Sequence, residues 1–405
     1  MNDKLNIFLK QMNLSVITGN NNIIIVKSKE RLKIIITERY EQLMEDFHLN
    51  PSTSSKCLDV SDLEVSNITD MSFLFSQFEL LEEIKGIEKW NTSNVKNMCF
   101  MFCGCNNLKT LNIHNFKTSN VKDMQSMFYG CRSLIALDLG DWDTSNVKDM
   151  KNMFHDCRQM ESLNLSNWIT LKVKNMSGMF SFCCHLKSLD LKSFDTSNVE
   201  DMSKMFWNSK ATNVVQLMTK RYNCREDNHH LMKSLDLSSF RTQNVKNMFG
   251  MFCGCHRLIY ITGMTNWNTS KVEDMSYMFC CCSSLLTLSL YNFNTSNVEN
   301  TSGMFLHCHM LEELYLTDWN TSKVKTMNWM FCDAGIHDVD ISSFRLSMPY
   351  SIQHMFDSCH WLKTLDISKF NKWTVQEIKE LHVFDDCDRL KELENCQCVL
   401  NHSEQ

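Results

Sequence analysis

Apolar residues return along this chain in a unit of about 26 residues. The unit from Trp142 to Trp168 shows the pattern, and one phenylalanine marks the same point in each copy. These marker phenylalanines are Phe75, Phe102, Phe128, Phe154, Phe180, Phe206, Phe252, Phe279, Phe305, Phe331, Phe356 and Phe384. A period of this size is typical of stacked repeat proteins, in which each unit buries its apolar face against its neighbours. The spacing predicts an elongated solenoid of about twelve coils.

Two hydrophobic rhythms within a unit predict two kinds of element. The first has the spacing of one helix face, and its residues are Val147, Met150, Met153, Phe154 and Cys157. In the second, Leu163 and Leu165 point the same way from a strand, so Asn164 between them faces outward. We therefore expect an α/β solenoid with a parallel sheet of short strands on one face, short helices on the other, and caps at both ends.

The repeat also predicts the domain organisation. Residues 1–56 lack it; a short apolar run and then helical spacing after Ser28 predict an N-terminal cap. Residues 57–372 form the repeat solenoid, with an insertion loop at 207–231 that contains Cys224, His229 and His230. Residues 373–405 predict a closing helix and a C-terminal cap, because an open solenoid end needs cover.

Composition excludes some classes of partner. A net charge of −6 over 405 residues predicts no strong attraction to nucleic acid. The sequence contains no run of roughly 18 apolar residues, so we expect no transmembrane helix. The first residues lack the pattern of a signal peptide. From the sequence we expect an intracellular monomer without a membrane anchor.

Two residue columns suggest chemistry but favour structural roles. Nine of the 20 cysteines stand three residues after a marker phenylalanine, so we expect them to pack as small buried hydrophobes in a reducing compartment. Paired cysteines such as Cys103 and Cys105 lie closer in sequence than structural zinc sites prefer. A threonine column that includes Thr144 predicts hydroxyls bonded to the next coil's backbone, with a ligand-binding threonine array as the alternative. We expect no metal and no cofactor.

The outward strand positions are the candidate binding residues. They form a mildly acidic stripe that would suit a protein partner with a basic or polar surface. The competing interpretation is that outward strand positions must be polar in any case and that aspartate resists edge aggregation. The candidates are Asp138, Asn164, Asp190, Asp236, Tyr315 and Asp366.

No catalytic constellation emerges from the sequence. It contains no nucleophile–base pair, phosphate-binding glycine loop or acid pair outside the repeat, so we predict no catalytic residues. The first hypothesis is a non-enzymatic scaffold for protein–protein interaction. A structural or adhesive surface component exported by a non-standard route is the alternative, and an enzyme or metal protein is the third.

The repeated motif resembles a known family. Asp143-Thr-Ser-Asn-Val-Lys-Asp-Met150, followed by Met153-Phe154 and the leucine rhythm, resembles the BspA-like leucine-rich-repeat proteins of the DUF285 type. Ile68-Thr-Asp-Met-Ser-Phe-Leu-Phe75 resembles their N-terminal flank. The resemblance implies a leucine-rich-repeat solenoid, surface display in many members, adhesion or other protein binding, and no catalytic residues. It thus points to the cell surface as an alternative location.

Overall fold

The computed structural model describes residues 23–51, 56–209, 216, 231–346, 349–366, 370 and 372–390. Over these residues the chain forms a solenoid whose coils lie parallel, each on the one before. Nine consecutive parallel bridges run from Asp70 to Thr326, joining each coil to the next at one position. They define about nine turns of the solenoid, and the count of about twelve coils stays a prediction.

Short parallel strands form where the leucine rhythm predicted them. Leu137 of one strand pairs with Leu163 of the next, and Asp138 pairs with Asn164. The strands are β1 Ile24–Ile25, β2 Cys57–Asp59, β3 Leu63–Glu64, β4 Glu83–Lys85, β5 Ala136–Asp138, β6 Ser162–Asn164, β7 Ser234–Asp236, β8 Tyr260–Thr262, β9 Thr287–Ser289 and β10 Glu313–Tyr315. They assemble as separate two-stranded sheets, β1 with β3, β2 with β4, β5 with β6, β7 with β8, and β9 with β10.

The prediction of a short helix in each unit is wrong for the unit that suggested it. Residues 147–157 form a bridge followed by consecutive turns. Alternate amides bond across to the next coil, as Phe154 N does to Met179 O at 3.0 Å. Asn152 and Asp156 have φ values of 53° and 62°, in the left-handed region that a right-handed helix does not use. Each unit therefore adds a rung of bridges and turns.

The turn geometry explains the mistaken helical spacing. Met153 N donates to Met150 O at 3.2 Å, which closes a four-residue turn with positive φ at its third residue. A chain of such turns brings every third or fourth side chain back to the same side. That spacing matches a helix face in sequence, although alternate backbone amides donate to the next coil and not along a helix.

The core is a set of side-chain columns that run through the stack. The marker phenylalanine rings stack almost parallel along the solenoid, with neighbouring centroids 4.9 to 5.9 Å apart. Met150, Met153 and Phe154 are fully buried beside them. Because every ring contacts the rings above and below, each coil depends on its neighbours for burial.

Helices lie at the two ends of the described chain. Helix α1, Lys29–Leu49, begins at Ser28, whose hydroxyl accepts from the Arg31 amide, and it buries Leu32, Ile35 and Ile36. Helix α2, Val375–Glu380, begins with a capping box between Thr374 and Glu377. Both helices were predicted. The 3₁₀ turns are Ile87–Lys89, Met264–Asn266 and Pro349–Ser351.

The threonine column bonds between coils, as predicted. Thr144 is fully buried; its hydroxyl donates to Ile169 O at 2.9 Å and accepts from Ile169 N at the same distance. Asn146 adds a second rung where its amide donates to Ser119 O at 2.8 Å. These bonds satisfy backbone groups where the chain turns.

Candidate functional site

The positions on either side of a strand leucine form an exposed surface because side chains alternate along an extended chain. In β5, Leu137 is buried while Ala136 and Asp138 are exposed on either side of it. The predicted binding residues follow this rule and all six are exposed. They are Asp138, Asn164, Asp190, Asp236, Tyr315 and Asp366. We call this surface the strand face.

Several polar side chains of the strand face also organise the backbone, which sequence reasoning missed. A carboxylate oxygen of Asp190 accepts the Lys192 amide at 3.1 Å, and one of Asp236 accepts the Ser238 amide at 3.0 Å. This is the local turn that Asp and Asn favour. The hydrogen bonds from Ser238 lower the pKa of Asp236, so this exposed group is a carboxylate at neutral pH. The signal available in the sequence was the recurrence of Asp or Asn at one position.

The strand face changes character along its length. Asn164 Nδ2 donates to Asp138 Oδ1 at 2.7 Å, so the earlier part carries linked polar groups. Three later tyrosines extend into solvent: Tyr260, Tyr291 and Tyr315 are 54%, 57% and 51% exposed. Sequence reasoning selected only Tyr315 of the three. Tyr260 and Tyr315 lie in β8 and β10, and Tyr291 lies in the turn that follows β9, so an aromatic section follows the polar, partly acidic one.

The cysteine column is buried and thiol in form. Cys105 is fully buried and its Sγ donates to Phe75 O at 3.1 Å. Cys157 repeats that contact with Phe128 O at 3.1 Å. Burial raises the pKa of Cys105 to about 12, so this group stays a neutral thiol at physiological pH. Cys224, His229 and His230 of the predicted insertion loop lie outside the described residues.

One buried carboxylate is held by two arginines. Asp156 is 6% exposed, and its two oxygens accept from Arg132 Nε at 2.7 Å and Arg158 Nε at 2.6 Å. Arg132 belongs to the preceding coil, 24 residues earlier. Beside it, His155 stacks on Tyr129 with ring centroids 4.6 Å apart. Burial lowers the pKa of His155 from 6.5 to about 4, so this imidazole is neutral at pH 7.

A second carboxylate is held by two histidines. Asp333 Oδ2 lies 2.9 Å from His307 Nδ1 and 2.9 Å from His309 Nε2. Burial raises the pKa of Asp333, but the hydrogen bonds and charges of the two histidines outweigh it, and the pKa lies well below its ordinary value. Sequence reasoning missed this cluster because only the stacking register brings residues 24 positions apart together.

The chain has short parallel strands that recur with a leucine rhythm around a stacked core. These features place it in the class of leucine-rich-repeat solenoids.

Among the described residues, no helix is both long enough and apolar enough to cross a bilayer.

The chain belongs to the family described as Mycoplasma protein of unknown function, DUF285. The match recurs four times, over residues 42–163, 134–229, 218–315 and 282–395, and so spans most of the chain. The resemblance noted from the repeat motif is confirmed.

Of three solved structures that match the chain, two are described as leucine-rich-repeat proteins. One from Eubacterium ventriosum is 12% identical over 79% of this chain and 80% of its own, with a TM-score of 0.31. The functional domain of InlJ from Listeria monocytogenes, reported to include a cysteine ladder, is 13% identical over 79% of this chain and 61% of its own, with a TM-score of 0.20. A leucine-rich-repeat protein from Leptospira interrogans is 12% identical over 73% of this chain and 92% of its own, with a TM-score of 0.18. No curated protein matches the chain.

Proposed function

We propose that this protein is a non-enzymatic scaffold that binds another protein through its strand face. The observation that carries the proposal is the series of exposed tyrosines, Tyr260, Tyr291 and Tyr315, on three successive units of a stacked backbone. Tyrosine gives a large contact area at a small cost in side-chain entropy, and it is enriched among the residues that dominate binding energy.

The acidic section of the strand face indicates which side chains the partner would carry. Asp138, Asp190 and Asp236 are exposed, and the turns of Asp190 and Asp236 engage one carboxylate oxygen in a backbone bond. Their negative charge therefore faces solvent in a fixed orientation. A partner that offers lysine or arginine to this section and an apolar or aromatic patch to the tyrosines would match both parts.

Affinity capture from the native cell tests the proposal. Tagged parent protein is compared with a Tyr260→Ser/Tyr315→Ser variant and with a variant that carries lysine at the three aspartates. We expect each variant to lose the captured partner by about tenfold or more. Tyr350→Ser is the matched control, because Tyr350 is 80% exposed and lies in the 3₁₀ turn Pro349–Ser351 and not in a strand. Capture that is equal for the parent and both face variants would reject the strand face.

A structural or adhesive role at a cell surface is the competing function, and it rests on the family resemblance. Fractionation of the native cell separates the two roles, since an adhesin must reach the outside. A protein found wholly in the cytosol would exclude the adhesive role and leave the scaffold intact.

We also propose a chain organisation for the scaffold. Residues 1–56 and 373–405 cap a monomeric solenoid of about twelve coils at 57–372, and 207–231 form an insertion loop. The burial of α1 against the first coils supports the N-terminal cap. Small-angle scattering checks the arrangement, which requires an elongated monomer; a dimer mass or a near-spherical envelope would contradict it.

A further inference from the structure

The cluster of His307, His309 and Asp333 joins two adjacent coils at the surface of the solenoid. One ligand atom from each of the three residues lies within 4.8 Å of the other two. The His307 side chain is 6% exposed, whereas those of His309 and Asp333 are 22% and 31% exposed. The cluster is therefore held by the protein on one side and open to solvent on the other.

The stack orients the two histidines toward the same point. Cys308 between them is fully buried, with its Sγ bonded to Phe279 O at 3.1 Å. Both imidazoles nevertheless lie beside one atom, because His307 Nδ1 and His309 Nε2 are each 2.9 Å from Asp333 Oδ2. The next coil is fixed beside them where His307 N donates to Cys332 O and Gly335 N donates to Cys308 O, both at 3.0 Å.

A glycine makes the close approach of the two coils possible. A Cβ at Gly335 would lie 2.2 Å from His309 O, closer than any real contact. Ala334, in the core column, precedes this glycine. The local sequence thus brings the Asp333 carboxylate within hydrogen-bond distance of both imidazoles.

The three side chains are of the types that bind divalent metal ions. Two imidazole nitrogens and one carboxylate oxygen are the ligands of many zinc sites that keep a fourth position for water. Ligand distances of about 2.0–2.1 Å place neighbouring ligand atoms roughly 3.3 Å apart in a tetrahedron. The two observed 2.9 Å separations are near that value, and the widest pair needs to close by at most about 1.5 Å.

We propose that His307, His309 and Asp333 bind one divalent transition-metal ion, with zinc the best match, as a clamp between two coils. An ion there would replace the two hydrogen bonds that the imidazoles donate to one carboxylate oxygen. Its ligands would be two histidines from one coil and an aspartate from the next, so the ion would link the two coils. Nothing in the proposed strand-face function depends on it.

Cobalt titration of the purified full-length protein, after chelator treatment, tests the proposal. Co²⁺ reports its ligands through its visible absorption, and competition with Zn²⁺ gives the relative affinity. We expect one equivalent to bind, with affinity reduced about tenfold or more in both His309→Gln and Asp333→Asn. Zn²⁺ should raise the Tm of the parent by more than that of His309→Gln at the same ion concentration.

Two controls keep the result interpretable. His360→Gln removes a histidine outside the cluster, whose Nδ1 lies 3.1 Å from Asp388 Oδ2, so this variant should bind Co²⁺ as the parent does. The thiols of Cys280 and Cys281, 3.5 Å apart, are the competing ligands, and they would give a sulfur-to-cobalt charge-transfer band. That band, equal binding by parent and His309→Gln, or no stoichiometric binding would each overturn the site.

Discussion

Asp156 and Asp333 occupy the same position in their coils, two residues after Phe154 and Phe331. Each carboxylate accepts from a side chain 24 residues earlier, Arg132 in the first case and His309 in the second. The backbone thus presents the same geometry twice, and only the partners differ. Arginine is charged at every physiological pH, so the Asp156 cluster is a permanent ion group. Imidazole can be neutral and can donate a lone pair, so the Asp333 cluster can respond to protons and metals.

The comparison shows that in this repeat fold the core residues supply stability, whereas the polar residues of the turns determine which groups each cluster can bind. The phenylalanine column is the same beneath both clusters, whereas the side chains at the turn positions and their partners differ in type. If this is right, core substitutions should act alike in the two regions, and substitutions at the clusters should act differently.

The largest expected effect is the one that the two regions share. Phe154→Ala and Phe305→Ala each remove a fully buried ring from the stack, and each should cost about 3–5 kcal/mol of unfolding free energy. Chemical denaturation measures both. The exposed Leu171→Ala is the control and should cost little. A small cost at either phenylalanine would mean that the two regions do not share one core.

The next largest effect is the pH dependence that His155, beside Asp156, gives to the free energy of unfolding. The pKa of His155 is lowered from 6.5 to about 4 in the folded protein, so between these values the unfolded chain binds more protons. Stability contributed by neutral His155 is therefore lost as pH falls from about 6.5 toward 4. At pH 5 the loss is roughly 2 kcal/mol, from 1.5 pKa units at about 1.36 kcal/mol each.

His155→Phe should remove that loss, because the phenyl ring keeps the stack on Tyr129 and carries no proton. The measurement is unfolding free energy at pH 8 and pH 5, where the variant should gain on the parent at the lower pH. His114→Phe, at an exposed position, is the control that should show no such gain. Parallel pH profiles for parent and His155→Phe would refute the buried neutral imidazole.

Removal of the permanent ion group should have a smaller effect. Asp156→Asn leaves Arg132 and Arg158 facing each other, but their side chains are each 52% exposed and solvent screens them. We expect a cost of about 1–2 kcal/mol, below that of a fully buried pair. Salt should reduce this cost. Denaturation at low and high ionic strength measures it, and a cost that salt does not change would argue for packing in place of charge.

The smallest effect should come from Asp333→Asn in metal-free protein, about 1 kcal/mol at pH 7, since Asp333 is partly exposed. Because the folded pKa of Asp333 is lowered, its contribution is present above its ordinary pKa, about 3.9, and is lost as pH falls below that value. The difference between parent and variant should therefore shrink in acid. A difference that grows as pH falls from 4 would contradict the assigned ionisation.

Stacking and strand positions could be predicted because they depend on local sequence that repeats. The marker phenylalanines, the leucine strands, helix α1 and the threonine ladder followed from spacing and residue type. The turn rungs could not be predicted. Residues at spacing three and four suit a helix or a series of turns equally, and only the hydrogen bonds between coils, such as Asn152 N to Ser177 O at 2.8 Å, decide between them.

Some features of the candidate sites could be predicted from the sequence and others could not. Exposure of Asp138, Asp190 and Asp236 was implied by strand alternation, whereas their binding role stays a prediction. The His307–His309–Asp333 and Arg132–Asp156–Arg158 clusters were hidden, because each needs side chains about one coil apart to meet. Sequence by itself determined that one coil lies on another, since a single unit cannot bury its apolar face. Tertiary structure alone decided which polar side chains meet across coils, because a displacement of one residue in register changes every such partner.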